Sequence, residues 1–327
     1  MVSFEHSFLS IDTTKAATQI EAYLRRLLEE HKAQGILIGL SGGIDSAVLA
    51  SLAVRAVGPK RVHTAFLYDR DSEKSSELMA RRIAEHLGVG LEIQDISPEM
   101  RRRGIYSPLI MHFITWSRTF NRLIQRGYRL LFGENPFTST LKEGSDEFGQ
   151  NPLKRLVFNL SVRHFVAGFD ARHVHRREVL EQREKAENLL LIGAANRSEA
   201  LVGWFVKDGI DDLYIQPLIG LYKTQVWQLA DFLELPDEVR HQAPSPDMMR
   251  GITDEFGIGI PYRTLDVIFH GLELGIDEVG IEALGPTSEQ IRLAKELNRL
   301  SEWKRETPHA EPPTSYSESN SQLLKTA

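Results

Sequence analysis

The 327-residue sequence predicts an α/β protein built on a doubly wound parallel sheet. Short apolar runs of strand type alternate with segments of helical length, the pattern of a parallel sheet covered on both faces. One strand-to-helix junction, Gly35–Val57, is interrupted by S-G-G. In open α/β sheets, turns at the carboxyl ends of the strands carry the ligand site.

The elements follow in order. Thr13–Lys32 places Ile20, Tyr23, Leu24, Leu27 and Leu28 on one face, at the spacing of an amphipathic helix. Gly35–Leu40 (G-I-L-I-G-L) is the first strand, and Ala47–Val57 has the length and composition of a buried helix. Val62–Tyr68 is expected as a strand, Glu73–Leu87 as a helix and Leu91–Ile96 as a third strand. Later, Asn188–Ile192 is strand-like, Gly193–Glu199 turns into a helix, and Lys223–Leu233 is helical. Residues 1–305 therefore read as one domain. It is interrupted at about 100–170 by an irregular segment rich in arginine and aromatics. From 306 to 327 the chain is polar, contains proline and is expected to be disordered.

Composition narrows the class. Hydrophobic residues make up 42% and charged residues 26%, ordinary values for a soluble enzyme, and the net charge of −6 gives no global footprint for nucleic acid. No apolar run reaches the ~20 residues of a membrane span and no signal-peptide core is evident, so a cytoplasmic protein without a nucleic-acid or membrane partner is expected. The chain has no cysteine. Disulfides, thiolate metal sites and cysteine nucleophiles are excluded, and so is a cysteine-dependent glutaminase in this chain. Any transferred nitrogen must arrive as free ammonia or from a separate glutaminase.

The junction Ile38–Ser46, I-G-L-S-G-G-I-D-S, carries the most chemistry. A strand that stops at Ser-Gly-Gly and restarts as a helix exposes backbone N–H groups at the positive end of the helix dipole, where a phosphate binds. Gly39, Leu40, Ser41, Gly42, Gly43, Ile44, Asp45 and Ser46 form this candidate nucleotide loop. Ser41 and Ser46 add hydroxyls, and Asp45 is placed to hold magnesium on the phosphates. No lysine follows the second glycine, which separates this loop from G-x-x-x-x-G-K-[ST].

The loop resembles the SGGxDS signature of ATP pyrophosphatases, which cleave ATP between the α and β phosphates. Alone it leaves GMP synthetase, argininosuccinate synthetase and thiouridylases open. A second stretch, residues 193–224 (G-A-A-N-R-S-E-A-L-V-G-W-F-V-K-D-G-I-D-D-L-Y-I-Q-P-L-I-G-L-Y-K-T), is similar at matching spacing to the signature of ammonia-dependent NAD synthetases. So are Ala243–Pro246 (A-P-S-P) and Ser301–Arg305 (S-E-W-K-R), and the resemblance runs over roughly 15–305 outside the 100–170 segment. It implies the Rossmann-like adenine nucleotide alpha hydrolase fold, a homodimer, and ATP with Mg2+. It also implies amidation of deamido-NAD (nicotinic acid adenine dinucleotide) by ammonia through an acyl-adenylate. Asp45 and Glu199 correspond to magnesium ligands, Lys223 to a catalytic lysine on the ATP phosphates, and Ser245 to a hydroxyl beside it. Lys207 and Lys304 correspond to lysines that contact the dinucleotide.

The acceptor half departs from the pattern. Ala194 stands where the family has an ATP-contacting threonine, Asp211 and Asp212 replace two glycines, and Tyr214 replaces a dinucleotide-contacting aspartate. Trp303 replaces a histidine, and Val174 falls where an acceptor arginine belongs. Arg172 or Arg176 could serve there only through a register slip; Arg176 is taken as the candidate, with Tyr214 and Trp303 retained at their positions. Two aspartates beside a pyrophosphate are expected to weaken dinucleotide binding. An ATP pyrophosphatase with a different acceptor, or a catalytically weakened nucleotide-binding regulator, stands as the alternative.

In the intervening segment, residues 101–129 contain seven arginines and no acid. As a helix, it would align Phe113, Trp116, Phe120, Leu123 and Leu130 opposite Arg118, Arg122, Arg126 and Arg129. The expectation is an amphipathic helix packed on the domain with its basic face in solvent; the functional readings are a lid, a dimer contact, a nucleic-acid arm or a membrane-surface helix, of which a modified dimer contact leads because the family it resembles is dimeric through helices near this region. His173 and His175 lack a third ligand and are not taken as a metal site.

Overall fold

The computed structural model describes residues 8–108, 118–245 and 252–313. The sheet has four strands, β1 (Gly35–Gly39), β2 (Val62–Tyr68), β3 (Leu91–Asp95) and β4 (Leu189–Ile192), in the order β3-β2-β1-β4. All neighbours are parallel, with Ile36 opposite Val62 and Leu190, and Tyr68 opposite Asp95. The chain goes to one side of β1 for β2 and to the other for β4. The carboxyl ends of β1 and β4 therefore border the switch point, where ligands bind.

Side chains alternate along the strands and supply both faces. Ile36, Ile38, Phe66, Leu190 and Ile192 pack beneath α1 (Thr13–Glu30) and α2 (Ile44–Val57); Leu37, Leu67, Leu189 and Leu191 form a separate cluster on the other face. α2 is buried almost all round, as its apolar composition requires. α3 (Lys74–Leu87) ends on Gly88 in the left-handed conformation. The observed bounds stay within three residues of the sequence expectations for these elements, which shows how well strong periodicity reports them.

The segment expected to be irregular is helical. After α4 (Ser97–Arg102) come α5 (Arg118–Phe132), α6 (Pro136–Gly144) and α7 (Pro152–Val157). A π-helical turn, Phe158–Val162, then runs into α8 (Arg163–Glu187). Both α6 and α7 begin with Asn-Pro, an extended N-cap residue followed by a proline whose missing N–H costs nothing in a first turn. That signal was legible in the sequence.

The expected packing of α5 is corrected. Among its residues from 121 onward, whose side chains are described, Asn121 and Tyr128 are buried, and the Tyr128 hydroxyl donates to Ser139 of α6 at 2.8 Å. Leu123 and Leu130 of the expected apolar stripe are exposed, whereas Phe113 and Trp116 lie outside the described residues.

Later helices include α9 (Arg197–Val202) and α10 (Lys223–Phe232), then α11 (Tyr262–Glu273) and α12 (Ser288–Leu300); the apolar faces of α11 and α12 build a second core. A 3-10 turn follows at Glu302–Glu306. Residues just past it, expected to be free tail, are bound: Asp212 accepts from Thr307 at 3.0 Å and meets His309 at 3.1 Å, and the Ala310 amide donates to Tyr214 O at 2.8 Å. Residues 314–327 lie outside the described residues.

Candidate active site

The nucleotide loop is organised before any ligand arrives. Ser41 Oγ lies 3.1 Å from Ser46 Oγ, the Ser46 hydroxyl donates to Gly43 O at 3.0 Å, and the Gly43 amide donates to Ser41 Oγ at 3.2 Å. Gly42 sits at φ +83°, and a Cβ there would stand 2.3 Å from Ser76 O of α3. Only glycine fits both constraints. α2 starts on Gly43 with no side-chain cap, so its first amides are free of a competing side chain and face outward at the positive helix end. Leu40 and Ile44 are buried and Gly39 ends β1, so these three offer backbone only.

The charged centre lies between β1 and β4. Lys223 Nζ donates to Asp45 Oδ2 and, at 3.2 Å, to Glu199 Oε1. Lys223 is 1% exposed. Burial disfavours its charge, but the carboxylates of Asp45, Glu199 and Asp254 outweigh it and raise the lysine above its ordinary value. Burial pushes Glu199 up, with Asp45 and Asp254 adding to the effect against the pull of Lys223. Asp254, not anticipated from the sequence, is pushed up to about 6 by burial. The Tyr262 hydroxyl at the start of α11 donates to Asp254 at 3.2 Å and stands 3.5 Å from Glu199.

Two further residues escaped the sequence reading. Asn196, fully buried, donates from Nδ2 to Asp45 Oδ1 at 2.9 Å and accepts the Glu199 amide at 3.0 Å. It caps α9 and orients Asp45 at once; the N of A-A-N-R-S-E was its only signal. Asp266 of α11 accepts from the Ser198 hydroxyl and from the Thr224 amide at 2.9 Å, while Ser198 Oγ accepts the Lys223 amide at 2.8 Å. This network ties the first turns of α9 and α10 together and fixes the base of Lys223.

Of the other nucleotide-side residues, Ala194 is half-buried against the core beside β4. A Cβ on neighbouring Gly193 would stand 2.3 Å from Gln216 Oε1, so a larger residue there would displace the Gln216 side chain that accepts the Ala195 amide. Ser245 donates to Ile252 O at 3.3 Å.

The acceptor-side residues meet protein groups. Lys207 Nζ donates to Glu306 at 2.8 Å and to Trp303 O at 3.0 Å. Lys304 donates to Gly203 O at 2.6 Å and to Phe205 O, and burial pushes it down to about 8. The Trp303 ring packs on Gly144 at the end of α6, and Tyr214 is 58% exposed. Arg176 Nε donates to Leu67 O at 2.9 Å. Arg172 is committed elsewhere: fully buried, it binds Asp69 and Asp71, and Asp69 also accepts the Tyr106 hydroxyl at 3.0 Å. The two aspartates expected to repel a pyrophosphate each have a partner. Asp212 holds Thr307 and His309, and Asp211 Oδ2 lies 2.7 Å from His173 Nδ1. His175 Nδ1 meets Glu178 at 2.9 Å.

Comparison with known proteins agrees with this geometry. The NAD synthase family model matches residues 16–105 and 166–308, and relatives named NH(3)-dependent NAD(+) synthetase share a third of their residues with this chain. The chain belongs to the NAD synthase family. The Coprothermobacter proteolyticus relative is 34% identical over 279 residues, covering 84% of this chain and 91% of the relative. That of Rhizobium meliloti is 32% identical over 292 residues, covering 85% and 84%. Among solved structures, the NMN synthetase from Francisella tularensis superposes with a TM-score of 0.65 at 21% identity, covering 92% of this chain and 99% of that one. The NH3-dependent NAD synthetase from Campylobacter jejuni gives 0.61 at 19% identity, covering 92% and 100%. At such identities these two establish the fold alone, the adenine nucleotide alpha hydrolase fold. The family match omits 106–165, where α5, α6 and α7 lie.

Proposed function

We propose that the protein is an ammonia-dependent NAD synthetase. One observation carries the reading: Asp45, Glu199 and the Lys223 ammonium converge at the carboxyl ends of β1 and β4, beside a preformed serine-glycine loop. The curated relatives, at a third identity over most of both chains, support the same activity. The carboxylate of deamido-NAD attacks the α-phosphorus of ATP and pyrophosphate leaves. Ammonia then adds to the acyl-adenylate carbon, AMP departs, and a proton is lost as the amide of NAD forms. The loop and the α2 amides bind phosphate, and Lys223 supplies positive charge to the leaving group. The protein's task is alignment and neutralisation rather than covalent participation.

Magnesium belongs to this reading. Two carboxylates converging on one cation are the hard oxygen donors that Mg2+ takes, so Asp45 and Glu199 would hold it. When bound, it neutralises the phosphate oxygens. Ammonia enters free, consistent with the absence of cysteine from this chain. A homodimer and a cytoplasmic location complete the proposal; sedimentation equilibrium tests the first. No described helix is long and apolar enough to cross a membrane.

The acceptor side favours a second reading, the same adenylation on another carboxylate. Lys207 and Lys304 both have protein partners, and a fold shared with an NMN synthetase does not dictate the acceptor. Incubation with ATP, Mg2+, ammonium and deamido-NAD decides between them. NAD should form, and Asp45→Ala should abolish it. Absence of NAD, with AMP released on a different nicotinate carboxylate, would replace the first reading with the second.

A further inference from the structure

The two buried aspartates near the charged centre are satisfied very differently. Asp266 accepts from the Ser198 hydroxyl and from the Thr224 amide, so both its oxygens serve the scaffold. Asp254 is 5% exposed, and its Oδ2 accepts from the Tyr262 hydroxyl at 3.2 Å. The Trp204 indole stands by this carboxyl and favours its charged form, but no hydrogen bond of ordinary geometry reaches the buried Oδ1. A buried carboxylate oxygen without a donor is costly, and a purely structural aspartate has no reason to keep one. The charge of Asp254 is felt instead at Lys223 and Glu199, whose proton affinities it raises.

The surroundings fix Asp254 in that place. Its amide donates to Pro244 O at 3.0 Å, Thr253 caps the short helix Asp254–Ile258, and Glu255 accepts the Tyr262 amide at 2.9 Å. Tyr262 spans the whole group. Its hydroxyl meets Asp254 and Glu199, and its ring centroid lies 5.2 Å from Lys223 Nζ.

Three carboxylates thus surround one buried ammonium. Two of them, Asp45 and Glu199, are the partners of Lys223 Nζ in the free protein, and the same two are proposed to hold Mg2+. Among the described residues, no three acidic or histidine side chains are arranged to hold one metal ion, so Asp254 stands apart from that pair. A buried ammonium that lost both partners to a dication would be displaced or deprotonated. We infer that Asp254 positions Lys223 for the ATP phosphates: it retains the ammonium when Mg2+ takes Asp45 and Glu199, and Tyr262 sets the direction of its carboxylate. Asp254 is a positioning residue, acting through the lysine and not on substrate. The inference rests on the adenylation reading of this site, but not on the identity of the acceptor.

The test is the gain in affinity that Mg2+ gives α,β-methylene-ATP, which cannot be cleaved between its α and β phosphates. Calorimetry near pH 8, with Mg2+ and with EDTA, measures it for wild type, Asp254→Asn, Lys223→Met and the double variant. At that pH Asp254 is ionised, being above the value of about 6 to which burial pushes it. Asp254→Asn should cut the Mg2+-linked gain about tenfold and leave the affinity in EDTA within about twofold. In the Lys223→Met background the same substitution should change the gain by less than about threefold. Tyr262→Phe, which keeps the ring and removes only the hydroxyl, should act in the same direction and more weakly. Equal losses with and without Mg2+ would mean a merely structural carboxylate. An undiminished effect in the Lys223→Met background would mean that Asp254 acts on the metal directly. Either result, or an unchanged gain in Asp254→Asn, would overturn the inference. A wild type whose affinity for the analogue ignores Mg2+ would instead refute the magnesium assignment, and this inference with it.

Discussion

Replacing Lys223 with methionine would remove the ammonium on which Asp45 and Glu199 converge and leave the carboxylates without it. At an effective dielectric constant of ~20, unit charges 3.2 Å apart attract by about 5 kcal/mol, so the Glu199 contact alone is large. Removing one partner of a buried ion pair costs ~3–5 kcal/mol. Because burial already pushes Glu199 up, that carboxyl would take a proton and limit the damage, placing the expected loss near the lower bound, about 3 kcal/mol. Urea unfolding in EDTA near neutral pH measures it. In the variant, Mn2+ alone should restore much of the lost stability, because the space between two carboxylates is then open to a metal. The wild type, in which Lys223 already pairs both carboxylates before ATP brings its phosphates to the lysine, should respond far less to metal alone. A variant within about 0.5 kcal/mol of wild type, or one indifferent to Mn2+, would refute the reasoning that the Lys223 ammonium neutralises Asp45 and Glu199 and that a metal can do so in its absence.

Asn196→Ala should lose about 1 kcal/mol as a helix cap and also raise the KM for ATP, because Asp45 loses its 2.9 Å donor; a KM unchanged beside lost stability would mean that capping is the residue's whole role. Arg172→Met should cost ~3–5 kcal/mol, and adding Asp69→Asn and Asp71→Asn should recover much of it in urea melts. Burial pushes Asp69 up, but Arg172 and Arg176 outweigh it and hold the carboxyl below its usual range. Its contribution to stability is therefore present above the unfolded value of ~3.9 and lost as pH falls through the lower folded one. Asp69→Asn should flatten that part of the acid-unfolding curve. Asp212→Ala should free residues 307–310, seen as faster cleavage there in limited proteolysis with the rest of the chain intact.

Glu199 was legible only through resemblance; the strands, the phosphate loop and Asp45 were legible in the sequence because each depends on local signals. These are apolar runs bounded by turns, glycines where backbone must bend, and charges at helix starts. Lys223 was legible only through resemblance, since nothing local distinguishes a buried lysine from a surface one. Asp254 and Asp266 were missed for a related reason: Asp266 acts where α11 packs against α9, 68 residues from its partner Ser198, and Asp254, on the short helix Asp254–Ile258, acts through Lys223 and the Tyr262 hydroxyl. The misreading of α5 has a different cause. Amphipathic periodicity reports that a helix has an apolar face but not that the face is buried, and here Asn121 and Tyr128 take the buried positions. Likewise, the paired charges of Asp211 and Asp212 read as repulsion in one dimension, while the fold supplies His173, Thr307 and His309 as partners.

The central claim is that the site around Asp45, Glu199 and Lys223 cleaves ATP between its α and β phosphates to activate a carboxylate. The most direct measurement is the phosphate product released in single turnover with ATP, Mg2+, ammonium and deamido-NAD. Pyrophosphate and AMP should appear in equal amounts with NAD, and all three should vanish in Asp45→Ala. Release of orthophosphate with ADP would contradict the account.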